Sequence, residues 1–276
     1  WSHDIDPATA RRAVQDYLAN LDDPAWGAAT DVVPKFVAPA DPAAQWTGAM
    51  KSAAFFAYAD NYLIDVKAGI IMDVEASRAI RQAEVGASQT MIERTEATFG
   101  IKPDWLAADT AYGSAPNLHF LVDEKDIAPH IPVIDKSRRD DGTFSREDFI
   151  YDHRADSYRC PSGKPLRQFW QAGRAAKAKP PADGLFRYRA RKADCDACGL
   201  RERCRPGDAG RKVLRSIHEG ARDLARDLSK TDAYATSQRE RKRVGMLFAH
   251  LERILKLDRL RLRGPNGARD EFLLAA

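Results

Sequence analysis

The spacing of apolar residues between Ala53 and Ile134 constrains the fold more than any other feature, because its period switches repeatedly between strand and helix. Ala53 to Val66 is rich in aromatic and β-forming side chains, Ile70 to Val74 is a short apolar run, and Lys67-Ala68-Gly69 lies between them. That is a hairpin pattern. Ala79, Val85, Met91 and Ile92 then fit a long helix from Ser77 to Phe99, closed by Gly100. Trp105-Leu106-Ala107-Ala108 reads as a buried strand ending at Asp109, and Ser114 to Glu124 as a helix. His130-Ile131-Pro132-Val133-Ile134 reads as a further strand, placed at an edge because Pro132 has no N–H for a ladder. Before the hairpin, Asp6-Pro7 opens a helix that carries Val14, Tyr17, Leu18 and Leu21. Asp22 to Trp46 shows little periodicity and reads as a linker with one short strand near Lys35-Phe36-Val37. The order helix, hairpin, helix, strand, helix, strand implies an α/β fold, a mixed sheet flanked by helices.

The character changes after Asp135. The chain to about Lys212 is polar and punctuated by Gly and Pro, and it holds all four cysteines, Cys160, Cys195, Cys198 and Cys204. It reads as an inserted module with short strands near Phe169-Trp170 and Phe186-Arg187-Tyr188. The resulting organisation is an N-terminal helix and linker (1–46), the first part of the core (47–136), the cysteine module (137–212) and a helical part that completes the core (213–276). Two residues lie between Cys195 and Cys198, five between Cys198 and Cys204, and 34 between Cys160 and Cys195. Four thiolates at such spacing suit a closed, structural zinc site, which would give a small polar insertion much of its folding free energy. Reduced, unliganded thiols are the alternative.

A chain of 276 residues, 44% hydrophobic and 30% charged, can bury a full core in one or two domains. It has no apolar run near the length of a membrane span and no visible signal peptide, which points to the cytoplasm, where clustered thiols do not serve disulfides. A chain that opens on Trp1 reads as a fragment or truncated product. Its net charge of +4 is uneven: from Arg211 to Ala276 there are 16 Lys and Arg against 9 Asp and Glu. The excess suggests a polyanionic partner for the C-terminal part, or a solvated helical face.

Asp109 stands where a strand gives way to Thr110-Ala111-Tyr112-Gly113. A carboxylate at the carboxyl end of a strand in an open α/β sheet can hold a divalent cation of the magnesium kind, or can simply cap the next helix. Farther on, Val244, Leu247, Phe248, Leu251, Ile254 and Leu255 share one helical face of about 120°. Arg241, Gly245 and Glu252 lie along its edge, within about 40° of one another. Arg239, Arg241, Lys242 and Arg243 form one basic cluster. Arg259-Leu260-Arg261-Leu262-Arg263 alternates at strand period, basic on one face and apolar on the other. Either cluster can contact phosphates or solubilise the surface. The isolated His153, His218 and His250 carry no assigned role.

Taken in order, several of these segments resemble the C-terminal part of a DDE transposase from a bacterial insertion sequence. They are Asp41-Pro42-Ala43-Ala44-Gln45-Trp46, Tyr58-Ala59-Asp60-Asn61-Tyr62, Ala108-Asp109-Thr110-Ala111-Tyr112-Gly113, Cys160-Pro161-Ser162-Gly163-Lys164, Arg261-Leu262-Arg263-Gly264 and Asp270-Glu271-Phe272. The resemblance implies an RNase H-like catalytic domain interrupted by a zinc-ribbon-like insertion. It implies magnesium-dependent cleavage and joining of DNA, with transposon ends and target DNA as partners, a nucleoid-associated location and homo-oligomer formation. It makes Asp109 a catalytic metal ligand, and Arg241, Lys242, Arg243, Arg259, Arg261 and Arg263 contacts to DNA. In that family an Arg on the last helix is followed four residues on by a catalytic Glu and then, seven residues further, by a Lys. Here Arg241 keeps the Arg, while Gly245 stands in place of the Glu and Glu252 in place of the Lys.

The family's first catalytic Asp, carried on a strand before the hairpin, has no counterpart among Trp1 to Trp46 on this reading, since no strand ending in Asp is expected there. The chain is therefore expected to be an inactive transposase catalytic-domain fragment. Two alternatives stand beside it: a non-catalytic DNA-binding or self-associating remnant, and a metal-dependent nuclease that recruits Glu240 or Glu252.

Overall fold

The computed structural model describes residues 9–28, 30, 33–48, 53–135, 141–169, 181, 183–204, 210–254, 257 and 259–276, the side chains of 243 and 246–253 excepted. Helices run over Arg12–Ala19 (α1), Arg81–Phe99 (α2), Ala115–His119 (α3), Lys192–Asp196 (α4), Arg201–Cys204 (α5), Glu219–Leu228 (α6), Asp232–Arg253 (α7) and Gly264–Ala275 (α8). Strands run over Val37–Ala38 (β1), Asp41–Thr47 (β2), Phe55–Asp65 (β3), Ile70–Arg78 (β4), Trp105–Ala107 (β5) and Ala128–His130 (β6). Five more follow: Ile150–Asp152 (β7), Ser157–Arg159 (β8), Pro165–Gln168 (β9), Leu185–Arg189 (β10) and Lys212–Ser216 (β11). The fold is mixed α/β. No helix among the described residues is long and apolar enough to cross a membrane.

The chain divides into two compact units. The first comprises Trp1–Tyr112, Lys125–Pro132 and Asp227–Ala276. It holds an antiparallel sheet in the order β1-β2-β3-β4 and a separate parallel pair, β5-β6. The expected hairpin is β3-β4, closed by Asp65, whose Oδ1 accepts the amide hydrogens of Lys67 (2.8 Å) and Ala68 (3.2 Å), and by Gly69 at φ +69°. β4 runs on to Arg78, past the Val74 at which the apolar run stops. The helix after it begins at Arg81 and ends as expected, with Gly100 in the left-handed region (φ +65°) and its N–H on Glu96 O at 2.9 Å.

Small residues let helices lie close to this sheet. Ala25, Trp26, Ala43, Val74, Ala76, Ala87, Ala268 and Phe272 form the core, with Tyr17, Tyr58 and Tyr62 packed against it. A Cβ on Gly86 of α2 would stand 2.7 Å from Pro24 Cβ, so only glycine permits that approach.

Three sequence expectations are corrected in this unit. Residues 41–46, read as linker, lie in β2, which pairs with β3 (Gln45↔Ala57, Trp46↔Phe56, Thr47↔Phe55). The strand expected at 130–134 lies at Ala128–His130 instead, paired in parallel with β5. The alternating stretch from Arg259 to Arg263 is not a strand. Glu271 Oε1 of α8 accepts the amide hydrogens of Arg261 and Leu262, the donors a neighbouring strand would have used. Asp6 and Pro7, expected to open the first helix, lie outside the described residues.

The second unit comprises Gly113–Glu124 and Val133–Arg226. Its antiparallel sheet runs β11-β10-β9-β8-β7. One face buries Tyr158, Leu166, Tyr188 and Val213 together with Phe149 and Ala190. The single helix expected from Ser114 to Glu124 is two pieces, the short α3 and a π turn over Phe120–Glu124. At the start of α6 the buried Glu219 accepts hydrogen bonds from Arg146 (2.6 Å), Arg222 (3.0 Å) and Arg226 (2.9 Å).

Candidate functional site

Asp109 lies two residues beyond β5. Its Oδ1 accepts the Ala111 amide hydrogen at 2.7 Å and its carbonyl accepts that of Tyr112 at 3.2 Å, which forms a short 3-10 turn over Thr110–Tyr112. The carboxylate itself is exposed. Glu84, in the first turn of α2, shares this corner. Its carboxyl is pushed up by burial and then by the Asp109 charge, and the Tyr112 hydroxyl is raised by burial and then by both carboxylates. Glu84 had no sequence signal, because nothing in the chain's order says that the start of α2 comes to the end of β5.

Asp41 is the second carboxylate that sequence reasoning passed over. It is buried at the start of β2, the strand that precedes the hairpin, which opens on this Asp and ends at Thr47. Both of its oxygens are engaged: Oδ1 accepts the Tyr58 hydroxyl and Oδ2 the Gly264 amide at 3.3 Å.

The helix α7 is pinned to β6. His130 stacks on Trp105 with centroids 5.2 Å apart, its Nδ1 meets Ser237 Oγ at 2.8 Å, and its carbonyl accepts from Gln238 Nε2 at 2.8 Å. Arg241 and Val244 line a cleft with Ile101–Ala107 and the hairpin turn at Asp65–Lys67, and Asp109 is not part of that lining. The Arg241 Nε is buried there without a hydrogen-bond partner. Gly245 is exposed, and a Cβ added to it would meet nothing within 4 Å. Neither packing nor backbone conformation calls for glycine at this position. Lys242, Arg259, Arg261 and Arg263 are exposed. The side chains of Arg243, His250 and Glu252 lie outside the described residues. Ile254, expected on the core face, is 64% exposed.

The four cysteines line one pocket of the second unit. Cys160 sits in the turn between β8 and β9, where Gly163 donates its N–H to Cys160 O at 2.8 Å and adopts φ +81°. Cys195 lies in the last turn of α4, the Cys198 amide returns to Cys195 O at 3.2 Å, and Cys204 closes α5. The Cys204 thiol is raised by burial, opposed by the Arg211 guanidinium and reinforced by the other three sulfurs. Among the described residues, no group of three or more His, Cys, Asp or Glu side chains stands where it could hold a metal ion.

Comparison with known families bears on the C-terminal part. Residues 159–276 match the family model of a transposase DDE domain. The match takes in the cysteines, Arg241, Gly245 and the basic stretch from Arg259 to Arg263, but neither Asp41 nor Asp109. It supports a DDE transposase family and a transposase-related function. No curated protein and no solved structure matches the chain.

Proposed function

We propose that this chain is a transposase-type protein that binds DNA without cutting it. The observation that carries the reading is Gly245, an exposed glycine in open space on α7, within the matched stretch and at the position where the resemblance puts a catalytic Glu. The other carboxylates do not make good the loss. Asp109 has Glu84 beside it, Asp41 has both oxygens engaged within the protein, and the described residues offer no three-ligand group. That set does not fit the magnesium ions of an RNase H-like active site. Arg241, Lys242, Arg243, Arg259, Arg261 and Arg263 serve instead as phosphate contacts, which give affinity without reading sequence.

In the second unit, four thiols around one pocket are the donor set that zinc takes in structural sites. Cys160, Cys195, Cys198 and Cys204 would hold it, and it would tie the two turns to the sheet. The setting that suits this function is cytoplasmic and nucleoid-associated.

Duplex binding measured by fluorescence anisotropy, together with nicking of supercoiled plasmid in magnesium or manganese, tests the reading. Log affinity should fall linearly with log salt as counterions are released, and no nicking should occur. Duplex binding that ignores salt, or its absence at low salt, overturns the proposal. Nicking by the unaltered chain that Asp109→Ala abolishes also overturns it, and favours a nuclease with a recruited carboxylate. The corner shared by Asp109 and Glu84 makes Glu84, rather than Glu240 or Glu252, that carboxylate, and Glu84→Gln would then abolish nicking as well.

A further inference from the structure

The outer face of the second unit's sheet carries a row of like charges. In register, Arg167 of β9 lies opposite Arg189 of β10, and Arg189 lies opposite Lys212 of β11. Directly paired residues project from the same face, so the three cations stand side by side across three strands. The neighbouring row, Gln168, Tyr188 and Val213, turns inward, with Tyr188 and Val213 buried, so the cationic row faces out. Like charges directly opposite on a sheet destabilise it.

Other cations of this unit are neutralised. Arg146, Arg222 and Arg226 hold Glu219, Arg215 holds Asp223, and Arg187 holds Asp183. Arg167, Arg189 and Lys212 form no ion pair with a described residue. An arrangement that costs folding stability in the free protein becomes favourable once an anion covers it.

The same face offers a stacking platform. Phe169 is 43% exposed and lies under the Arg189 guanidinium, 5.4 Å from it, and Leu214 is 49% exposed beside Lys212. A cleft of about 590 Å³ opens against Arg167, Phe169 and Arg189 and extends to Lys164, Arg191 and one carboxylate, Asp194. A flat basic face with an exposed ring suits unstacked bases, which lay a π-face on the aromatic while the phosphates run over the cations. A duplex keeps its bases stacked on one another and cannot use the ring.

We propose that this sheet face binds single-stranded DNA, with Arg167, Arg189 and Lys212 under the backbone and Phe169 under a base. The choice of DNA rests on the transposase-type reading, whereas the single-strand preference rests on the face itself.

The test is fluorescence anisotropy of the full chain with a labelled oligothymidylate, an oligouridylate of equal length and a duplex. The variants are Phe169→Ala and the combined Arg167→Gln, Arg189→Gln, Lys212→Gln. Loss of three phosphate contacts should lower the single-strand salt slope by about 2 and weaken binding at low salt by about 30-fold. Phe169→Ala should weaken it about 10-fold with the slope unchanged. Both variants should leave duplex affinity within about 2-fold, and the triple variant should melt no lower than the parent, since it removes like-charge repulsion. Single-strand binding that both variants retain overturns the proposal, as does oligouridylate bound 10-fold tighter than oligothymidylate. Duplex binding with no single-strand binding sinks the sheet face and leaves the DNA-binding function standing. Failure to bind either DNA sinks that function itself.

Discussion

Glu219 of the second unit and Asp60 of the first are both drawn out of water, and they meet the cost in opposite ways. In the second unit Glu219 is surrounded by Arg146, Arg222 and Arg226. Burial pushes its carboxyl up, but the arginines outweigh burial and hold it below the ordinary value, so it stays charged. In the first unit Asp60 sits on β3 with its Oδ1 buried and without a hydrogen-bond partner. Burial there, opposed only by the Tyr62 hydroxyl, pushes it up from an ordinary 3.8 to about 7. Glu219, like Glu75 between Arg94 and Arg269 in the first unit, is met by cations, whereas Asp60 is met by a proton. A paired buried charge locks its neighbours, whereas an unpaired one leaves stability open to pH.

The largest expected effect breaks the first arrangement. Glu219→Ala leaves three arginines facing one another at a buried position and should destabilise the second unit by about 3–5 kcal/mol. Urea unfolding followed by Cys-thiol accessibility, which reports on that unit, would measure it, and a change under about 1 kcal/mol would show the cluster to be a solvated surface pair.

Asp60 sharpens the contrast through the sign of its pH dependence. A carboxyl raised in the folded state binds more protons folded than unfolded between pH 3.8 and about 7. Its favourable contribution is therefore present below that window and lost as pH rises through it. Glu219, held low, runs the other way: its contribution is present above the ordinary Glu range and lost as pH falls. Asp60→Asn should thus raise stability at pH 8 by about 2 kcal/mol, less than the full shift because Asp60 keeps some contact with water. At pH 4 it should change little. Denaturant melts at the two pH values decide, and an equal effect at both would mean that Asp60 stays ionised.

The smallest effect concerns a residue outside both arrangements. Gly245→Ala fills open space on an exposed stretch of α7, so it should gain about 1 kcal/mol of helix stability by thermal melt. A loss instead would show that α7 bends or packs there.

Much of the first unit was legible in the sequence. The hairpin announced itself by alternation around Lys67-Ala68-Gly69, α2 by helical spacing and Gly100, and β5 by four apolar residues before an Asp. β2 was hidden because Asp41-Pro42-Ala43-Ala44 has the composition of a turn, and only pairing with β3 makes it a strand. The alternation at Arg259–Arg263 misled for the converse reason: a carboxylate ten residues on from Arg261 supplies the acceptor a strand would have offered. The candidate site was legible in part. Asp109 and Gly245 are points on a motif, so sequence can name them as candidates. The corner between Glu84 and Asp109, and the row of Arg167, Arg189 and Lys212, depend on which strands and helices become neighbours, and local pattern does not encode that.

The bond from the Gly264 amide to Asp41 joins positions 223 apart in the chain, with the Tyr58 hydroxyl 3.2 Å from the same amide. Gly264 stands at φ +83°, and a Cβ on it would lie 2.9 Å from Ala13 Cα, so the start of α8 is seated against α1 and β2. During synthesis the ribosome delivers β2, the hairpin and then the whole cysteine-bearing unit before residue 264 emerges. An early-made strand of the first unit therefore waits for nearly the last residues to reach it, while the second unit can complete its sheet in the interval. A polypeptide stalled or cleaved between Leu228 and Gly264 would carry a finished module on an unclosed body, whose exposed alanine-rich sheet face is the surface a chaperone or protease would meet first.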